Sequence, residues 1–226
     1  MYQPPHHAET RKEVIHALMR AHPLGLLVSN GADGPTANPI PFLLDAEHGS
    51  HGRLRGHFSR ANPQWRQIGE RPQEPVLVVF QGVNTYITPT WYATKRETGK
   101  VVPTWNYAIV QARGQATIMD DRDWLSEQIN ELTGTHEGGR ADPWHVSDAP
   151  EAFIEAQTKG IVGIEIEIVS LIGKWKVSQN RRGRSGRRRE GAGRPARRSL
   201  RRDGGAGASL RPRAKVRACR AQTSTP

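Results

Sequence analysis

The chain has 226 residues, a formal net charge of +11 and one cysteine, Cys219. A single cysteine excludes a disulfide framework and a thiolate metal site, and it is compatible with a reducing compartment. No apolar run approaches the length of a membrane span, so we expect none. No apolar run follows a basic stretch near the first residue, so we expect no signal peptide and a cytoplasmic protein.

The first 180 residues predict many strands and few helices. A capping box at residues 10–13 predicts a helix to about His22. Strands are predicted at 24–29, 36–45, 53–59, 75–81, 85–92, 107–119 and through Ile164, Ile166 and Ile168; further helices are predicted after Asn62-Pro63, after Asp121 and over 150–159. The strand at 36–45 contains two prolines, which place it at an edge or a bulge. Without a strand–helix–strand rhythm, this order favours a mainly β, antiparallel barrel with α additions.

The last 46 residues differ sharply in composition. Residues 1–180 contain 17 Lys and Arg against 20 Asp and Glu, whereas residues 181–226 contain 16 against 2. Every Trp, Tyr, Phe and His lies in the first segment, which is long enough for one domain with a core. The second segment has too few apolar residues to offset chain entropy. We therefore predict one folded domain over 1–180 and a disordered Arg/Gly/Ala-rich tail over 181–226.

A Pro-Thr-Trp sequence occurs twice, at Pro89-Thr90-Trp91 and Pro103-Thr104-Trp105, each beside strand-like residues. Proline cannot donate to a β-ladder and lies at edges, strand ends or bulges. Both aromatic rings and both hydroxyls are therefore expected near one sheet edge, where they would suit a planar, phosphate-bearing ligand. The alternative is a pair of aromatic edge strands that only pack on a core.

Five segments and the opening residues 1–6 resemble the PaiB family, FMN-binding split-barrel proteins described as negative transcriptional regulators. The segments are 38–45, 57–63, 86–92, 100–107 and 173–180. The resemblance runs in order over residues 1–180. It implies a split β-barrel of the flavin reductase and pyridoxamine oxidase-like type that binds FMN. In the wider split-barrel flavoproteins FMN lies across a dimer interface, so a homodimer is implied as well.

Three polar clusters are candidates for binding FMN. The chain has no glycine-rich dinucleotide fingerprint, no P-loop and no Gly-x-Ser-x-Gly sequence, so side chains must hold the flavin phosphate. The first cluster is His57, Ser59, Arg60 and Asn62; the second is Lys100, Thr104, Trp105 and Asn106; the third is Lys174, Lys176, Ser178, Gln179 and Asn180. Strand alternation puts Lys174, Lys176 and Ser178 on one side, where two cations would help to hold a phosphate.

Each cluster also has a purely structural interpretation. Arg60 could be a surface charge and Asn62 only a helix cap, Trp105 could be a core anchor, and the third cluster could be a solvated strand edge. His6 and His7 are interpreted as incidental residues at a mobile start, and no metal site is expected.

Two functions remain open. The first is gene repression by a flavin-holding protein, with flavin or redox state as the input. Against it, the sequence shows no helix-turn-helix, and an acidic domain is a poor electrostatic match for DNA. The second is a flavin-dependent oxidoreductase acting on a nicotinamide or a small oxidisable substrate, although no acid–base pair is evident.

Three interpretations of the tail also remain open. Its arginines could bind nucleic acid such as DNA directly, because basic runs neutralise phosphates and release counterions. It could be a neutral solvated extension. It could also come from a shifted reading frame, because 32 of its 46 residues are Arg, Gly, Ala or Pro, whose codons are GC-rich, and because the resemblance stops inside a motif at Asn180.

Overall fold

The computed structural model describes residues 1–179, so Asn180 and the predicted tail lie outside the described residues. The strands of the described part are β1 (Ala8–Glu9), β2 (Leu24–Gly31), β3 (Gly34–Pro41), β4 (Leu43–Asp45), β5 (Arg53–Ser59), β6 (Val76–Ile87), β7 (Thr104–Met119) and β8 (Ile161–Lys176). Its α-helices are α1 (Lys12–Ala21), α2 (Gln64–Gly69), α3 (Thr94–Glu97), α4 (Arg122–Glu137) and α5 (Glu151–Thr158). None of these helices is long and apolar enough to cross a membrane.

The strands form one antiparallel sheet that curls into a split barrel, which confirms the predicted fold class. The strand order is β3-β2-β6-β7-β8-β5-β4, and β1 pairs with β8. β3, at one end of this order, approaches β5, the second strand from the other end, at Gly56, where a Cβ atom would lie 3.1 Å from Ile40 Cγ2 and Pro41 O. Glycine at this position lets the backbones of β3 and β5 approach closely.

The barrel interior is filled by alternate residues of the long strands, as expected for a sheet with one buried face. In β5, for example, Leu54, Gly56 and Phe58 are buried, while Arg55 and His57 between them are partly exposed. Helix α1 packs three apolar side chains against this core. The core includes Ile15, Leu18, Met19, Leu27, Phe42, Leu54, Phe58, Val78, Phe80, Val110, Ile164 and Ile166.

A β-bulge lies between β7 and β8. The register shifts by one residue between Arg113 and Gly114, which pair with Ser170 and Ile168, so that Val169 is skipped. A Cβ atom at Gly114 would lie 2.0 Å from the backbone oxygen of Glu167. The close backbone contact at the bulge therefore requires glycine.

The bulge inverts the two faces of β8, because a one-residue shift exchanges inward and outward side chains. Before the bulge, the even-numbered Ile164, Ile166 and Ile168 are buried in the core. After it, the odd-numbered Leu171 and Trp175 pack on the core. The even-numbered lysines that follow, Lys174 and Lys176, consequently lie on the outer face of the sheet.

A buried glutamine positions α2 against β2 and β3. Gln64 is fully buried, and its amide accepts from Asn38 Nδ2 at 2.9 Å and donates to Ser29 Oγ at 3.0 Å. It also donates to the backbone oxygens of Leu27 and Thr36, both at 3.2 Å. Because buried polar groups are costly when unpaired, this network fixes the chain around segments 38–45 and 57–63.

Two local predictions were wrong. The residue before α1 is Arg11 rather than Thr10, and no side chain caps the helix; instead Arg11 N donates to Glu9 Oε1 at 3.0 Å. The strand predicted at 85–92 ends at Ile87, because the first Pro-Thr-Trp copy, Pro89–Trp91, forms a 3-10 turn. In the second copy, Thr104 and Trp105 begin β7. Because β6 and β7 lie in the middle of the strand order, the copies occupy strand ends and not edge strands.

The proline-interrupted strand and two helix starts were predicted correctly. The segment at 36–45 is split after Pro41 into β3 and β4, which are the two ends of the strand order. Asn62 Oδ1 accepts from Gln64 N at 3.0 Å, and Asp121 Oδ1 accepts from Trp124 N at 2.8 Å.

Replacing Gly114 by alanine tests the bulge. We expect Gly114→Ala to lower the free energy of unfolding by about 2 kcal/mol or more, since the added carbon meets backbone that cannot rotate away. Urea denaturation of the full chain measures the effect. Gly134→Ala in α4 is the matched control, because a Cβ atom there meets nothing within 4 Å; it should leave stability equal or slightly higher. Equal stability of the two variants would contradict this account of the bulge.

Candidate functional site

The second and third clusters meet where β7 begins and β8 ends. Lys176 Nζ donates to the hydroxyl of Thr104 and, at 2.6 Å, to the backbone oxygen of Trp105. Ser178 Oγ donates to Asn106 Oδ1 at 3.0 Å. The antiparallel pairing of Tyr107 with Lys176 brings these segments together, although Thr104 and Lys176 are 72 residues apart in sequence.

A polar cleft of about 200 Å³ opens at this junction. It is lined by His7, Val102, Pro103, Thr104, Asn106, Lys176 and Ser178. A larger cavity of about 300 Å³, beside Glu9, Lys12 and His51, contains none of the predicted site residues. The cleft is therefore the place where the sequence-predicted clusters converge.

Two ammonium groups flank the ring of Tyr107 without an acidic partner. Lys174 Nζ lies 5.5 Å and Lys176 Nζ 5.9 Å from the ring centre. Among residues 1–179, neither lysine forms an ion pair with a carboxylate. The prediction that both lysines share one side of β8 is confirmed, and this surface carries positive charge that an anion would neutralise.

His7 forms one wall of the cleft, so its interpretation as an incidental residue was wrong. It is buried, with 6% of its surface exposed, and its Nδ1 lies 3.1 Å from Gln179 Oε1. Burial lowers the pKa of His7 below its usual value, and the neighbouring positive charges of His6, Lys174 and Lys176 lower it further. A neutral His7 can donate to Gln179 and keep its other ring nitrogen as an acceptor.

Ser178 is held in an unusual backbone conformation. Its φ of 65° lies in the left-handed region, which is strained for a residue other than glycine. Two side chains hold its hydroxyl: Asn106, already described, and Tyr92, whose OH is 3.5 Å away. Gln179 closes the turn by accepting from Val177 N at 2.8 Å and donating to Trp175 O. These contacts hold Ser178 in its strained conformation, with the residue lining the cleft.

The remaining members of the second cluster lie around the cleft without lining it. Trp105 is 53% exposed and meets the ring of Tyr86 edge to face at 6.0 Å, so it is not a core anchor. Lys100 is exposed, and its backbone N donates to Thr98 Oγ1 at 3.3 Å. Asn180 of the third cluster lies outside the described residues.

The first cluster lies far from the cleft within one chain. Ser59 pairs with Ile161 at the start of β8, and Lys176 is at its other end. The 15 steps between these positions correspond to a strand contour of roughly 50 Å. The three clusters therefore do not converge inside a single subunit.

Arg60, the predicted phosphate ligand of that cluster, is engaged within the fold. It forms two hydrogen bonds to the carboxylate of Asp120, at 2.9 and 2.5 Å, and donates to the backbone oxygens of Lys159 and Ile161. These bonds lower the pKa of Asp120. A phosphate would have to displace Asp120 to reach this guanidinium.

The other members of the first cluster also have internal partners. His57 Nδ1 lies 2.8 Å from Oε1 of the buried Gln128 in α4. Ser59 is exposed, and its hydroxyl accepts from Ala61 N at 3.3 Å. Asn62 Oδ1 accepts from Gln64 N, the first residue of α2, as described above. Within one chain, these contacts favour the structural interpretation for Arg60 and Asn62.

The outer face of the sheet next to the cleft is mostly apolar, with Gln111 as the polar member of its central row. Leu26, Val79, Gln111 and Ile172 form one cross-strand row through β2, β6, β7 and β8. Leu26 is 41% exposed, and Leu24, on the same face of β2, is 63% exposed. Exposed apolar faces of this kind mark contact surfaces in soluble proteins. The face continues to Tyr107 and Lys176, two residues along β7 and β8 from the pair Ile109–Lys174.

Sequence reasoning missed three aromatic or titratable neighbours of the site. They are His7, Tyr92 and Tyr107. Tyr92 and Tyr107 end the segments 86–92 and 100–107, so those segments contained the signal. His7 follows directly on the opening residues 1–6, but nothing local indicates that it packs against residues 172 positions away.

The chain is similar to known proteins over most of its length. It matches the family model described as "Putative FMN-binding domain" over residues 1–170. It is 32% identical to the protease synthase and sporulation protein PAI 2 of Bacillus subtilis over 181 residues, which cover 80% of this chain and 83% of that protein. It is 38% identical to an uncharacterized protein of Emericella nidulans over 213 residues, covering 79% of this chain and 84% of that one.

Solved structures share the fold at low sequence identity. The flavocytochrome Anf3 from Azotobacter vinelandii has a TM-score of 0.53 at 15% identity, covering 75% of this chain and 69% of that chain. The FAD and heme binding protein from Mycobacterium smegmatis has a TM-score of 0.54 at 17% identity, covering 75% and 73%. At these identities, the likeness shows a common fold.

Proposed function

This chain belongs to the PaiB-like family of FMN-binding domains, and we propose that it acts as a cytoplasmic homodimer that holds FMN at the subunit interface and represses transcription in response to it. Residues 1–180 form the FMN-binding domain in this proposal. The observation that carries the site is the cleft where β7 begins and β8 ends, which is lined by Lys176, a lysine without an acidic partner among residues 1–179.

The donor set of the cleft fits the phosphate of FMN. Lys176 uses two of its three N–H groups on Thr104 and Trp105, which orients the ammonium and leaves one donor for a ligand. The hydroxyl of Ser178 and the side chain of Asn106 add neutral polar groups at the same rim. Charge-assisted hydrogen bonds of this kind are the strong ones in phosphate recognition. When bound, FMN would supply redox chemistry; the chain supplies orientation and charge.

A second copy of the chain completes the site. One cleft of about 200 Å³ is smaller than the roughly 300–1,000 Å³ usual for ligand pockets. The apolar outer face is continuous with it, so a partner packed there would roof the cleft and bury Leu24 and Leu26. The first cluster enters this proposal only as the partner's contribution, since it lies at the opposite end of β8 in the same chain.

The regulatory part of the proposal rests on the similarity of this chain to PaiB-type proteins. The Bacillus subtilis relative is named for protease synthase and sporulation, and the family resemblance is to negative transcriptional regulators. A flavin-dependent oxidoreductase is the competing function.

Lys176→Met tests the phosphate site. We expect FMN to bind at least ten-fold more weakly, because about 1.5–3 kcal/mol of charge-assisted hydrogen bonding is lost. Fluorescence titration of FMN with the purified full chain measures the affinity. Lys159→Met, at the exposed end of α5, removes the same charge away from the cleft and should bind FMN like the wild type. Unchanged affinity in Lys176→Met would remove this lysine from the site.

Leu26→Asp tests the proposed interface. A carboxylate in the middle of the apolar face should convert the dimer to a monomer and weaken FMN binding, because half of the site is lost. Light scattering at micromolar concentration gives the molar mass, and the same titration gives the affinity. Phe153→Asp in α5 is the control, since Phe153 is exposed outside this face. A dimer that persists in Leu26→Asp would place the interface elsewhere.

Two assays on the FMN-loaded full chain separate repression from catalysis. Fragmented genomic DNA retained by the protein at physiological salt is sequenced, with and without added FMN and with Lys176→Met in parallel. We expect enrichment of a small set of sites that depends on FMN and on Lys176. DNA binding that depends neither on FMN nor on Lys176 would be attributed to the basic tail. Steady NAD(P)H oxidation without site enrichment would favour the oxidoreductase.

A further inference from the structure

The opening residues 1–7, here called the N-terminal strap, lie across the end of β8. The side chain of Gln3 donates to the backbone oxygen of Gly173. Behind it, His7 N donates to Pro4 O at 2.9 Å, and β1 pairs Ala8 with Lys174. The strap is therefore attached to β8 at both of its ends, and its turn passes beside the cleft.

Lys174 provides the central contact of the strap. Lys174 is 7% exposed as a residue, and its ammonium donates to the backbone oxygen of Tyr2 at 2.8 Å. The ring of Tyr2 lies 5.5 Å from the same nitrogen, and the ring of Tyr107 lies at the same distance on β7. Lys174 has no carboxylate partner among residues 1–179. Its ammonium interacts instead with the backbone oxygen of Tyr2 and with the rings of Tyr2 and Tyr107. Since a buried charge without partners is strongly unfavourable, Lys174 stabilises the closed strap, and the strap stabilises buried Lys174.

The strap also forms part of the cleft wall, because His7 at its end lines the cleft and lies in hydrogen-bond contact with Gln179. In the closed position, Lys174, Lys176 and His7 lie close enough for both ammonium groups to act on His7. His7 lines the cleft only when the strap is closed, so an anion that contacts its ring there would bind the closed state better than the open one.

We propose that residues 1–7 are a closing strap over the FMN site, latched by Lys174, which positions the strap and does not itself bind phosphate. The inference rests on the proposed FMN site. It assigns the two lysines different tasks: Lys176 contacts the cofactor, and Lys174 controls how fast the cofactor leaves.

The test compares Lys174→Met with Lys159→Met by hydrogen exchange in the N-terminal peptide, residues 1–10, of the full chain without cofactor. Methionine keeps the apolar stem and removes the ammonium, so we expect exchange at least ten-fold faster in Lys174→Met and unchanged in Lys159→Met. In FMN-loaded protein, FMN should slow exchange in the wild type, and FMN should dissociate at least ten-fold faster from Lys174→Met. A chain lacking Tyr2 and Gln3 should show the same fast dissociation, and it replaces Lys174→Met if that variant does not fold.

Each outcome decides the inference. Unchanged exchange in Lys174→Met would show that Lys174 does not latch the strap, and faster exchange with unchanged FMN dissociation would show that the strap does not control access. Either result overturns the inference and leaves the FMN site standing. A wild type that binds no FMN would instead overturn the proposed function, while the exchange comparison in cofactor-free protein would still report on the latch.

Discussion

The bulge between β7 and β8 is the constraint on which the candidate site depends. Ile164 and Lys174 belong to one strand and have the same parity, yet one lies in the core and the other on the outer face. Without the skipped Val169, regular alternation would turn Lys174 and Lys176 into an apolar interior, where unpaired ammonium groups are unstable. Gly114 permits the shift because its backbone lies against Glu167. The bulge at this single glycine thus sets which residues of β8 face the core and which face outward.

Electrostatics then gives the cleft its chemical character. The described domain is mildly acidic in sequence, but at this junction two lysines and a buried histidine lie together without a carboxylate partner. Arg60, in contrast, already has partners within the fold. That guanidinium is the obvious phosphate ligand from sequence, yet it is held by Asp120 and two backbone oxygens. A cation that already has its partners stabilises a fold, whereas one with a free donor beside a cleft can bind a ligand.

Local pattern predicted much of the fold and part of the site. Strand β5 was predicted with its observed bounds, because its alternation and flanking turn residues are local. The two prolines near residue 40 correctly indicated the ends of the sheet, and alternation correctly paired Lys174 with Lys176. Alternation could not predict that both lysines lie on the outer face of the sheet. That depends on the bulge, which is determined by the partner strand β7 and not by the sequence of β8.

The contacts that were missed are long-range. Tyr2 and His7 reach residues about 172 positions away, and Arg60 and Asp120 are 60 positions apart. No periodicity within a segment encodes such pairs. The first cluster appeared to be a phosphate site because its residue types suited one, whereas the fold uses most of those groups internally.

The position of FMN in a crystal structure of the full chain tests the central claim most directly. The account predicts two cofactors per dimer, each with its phosphate at Lys176, Thr104 and Ser178 and its ring covered by the partner subunit against the apolar face of Leu24 and Leu26. A phosphate bound in the cavity beside Glu9 and Lys12, or an FMN enclosed by one subunit alone, would contradict it.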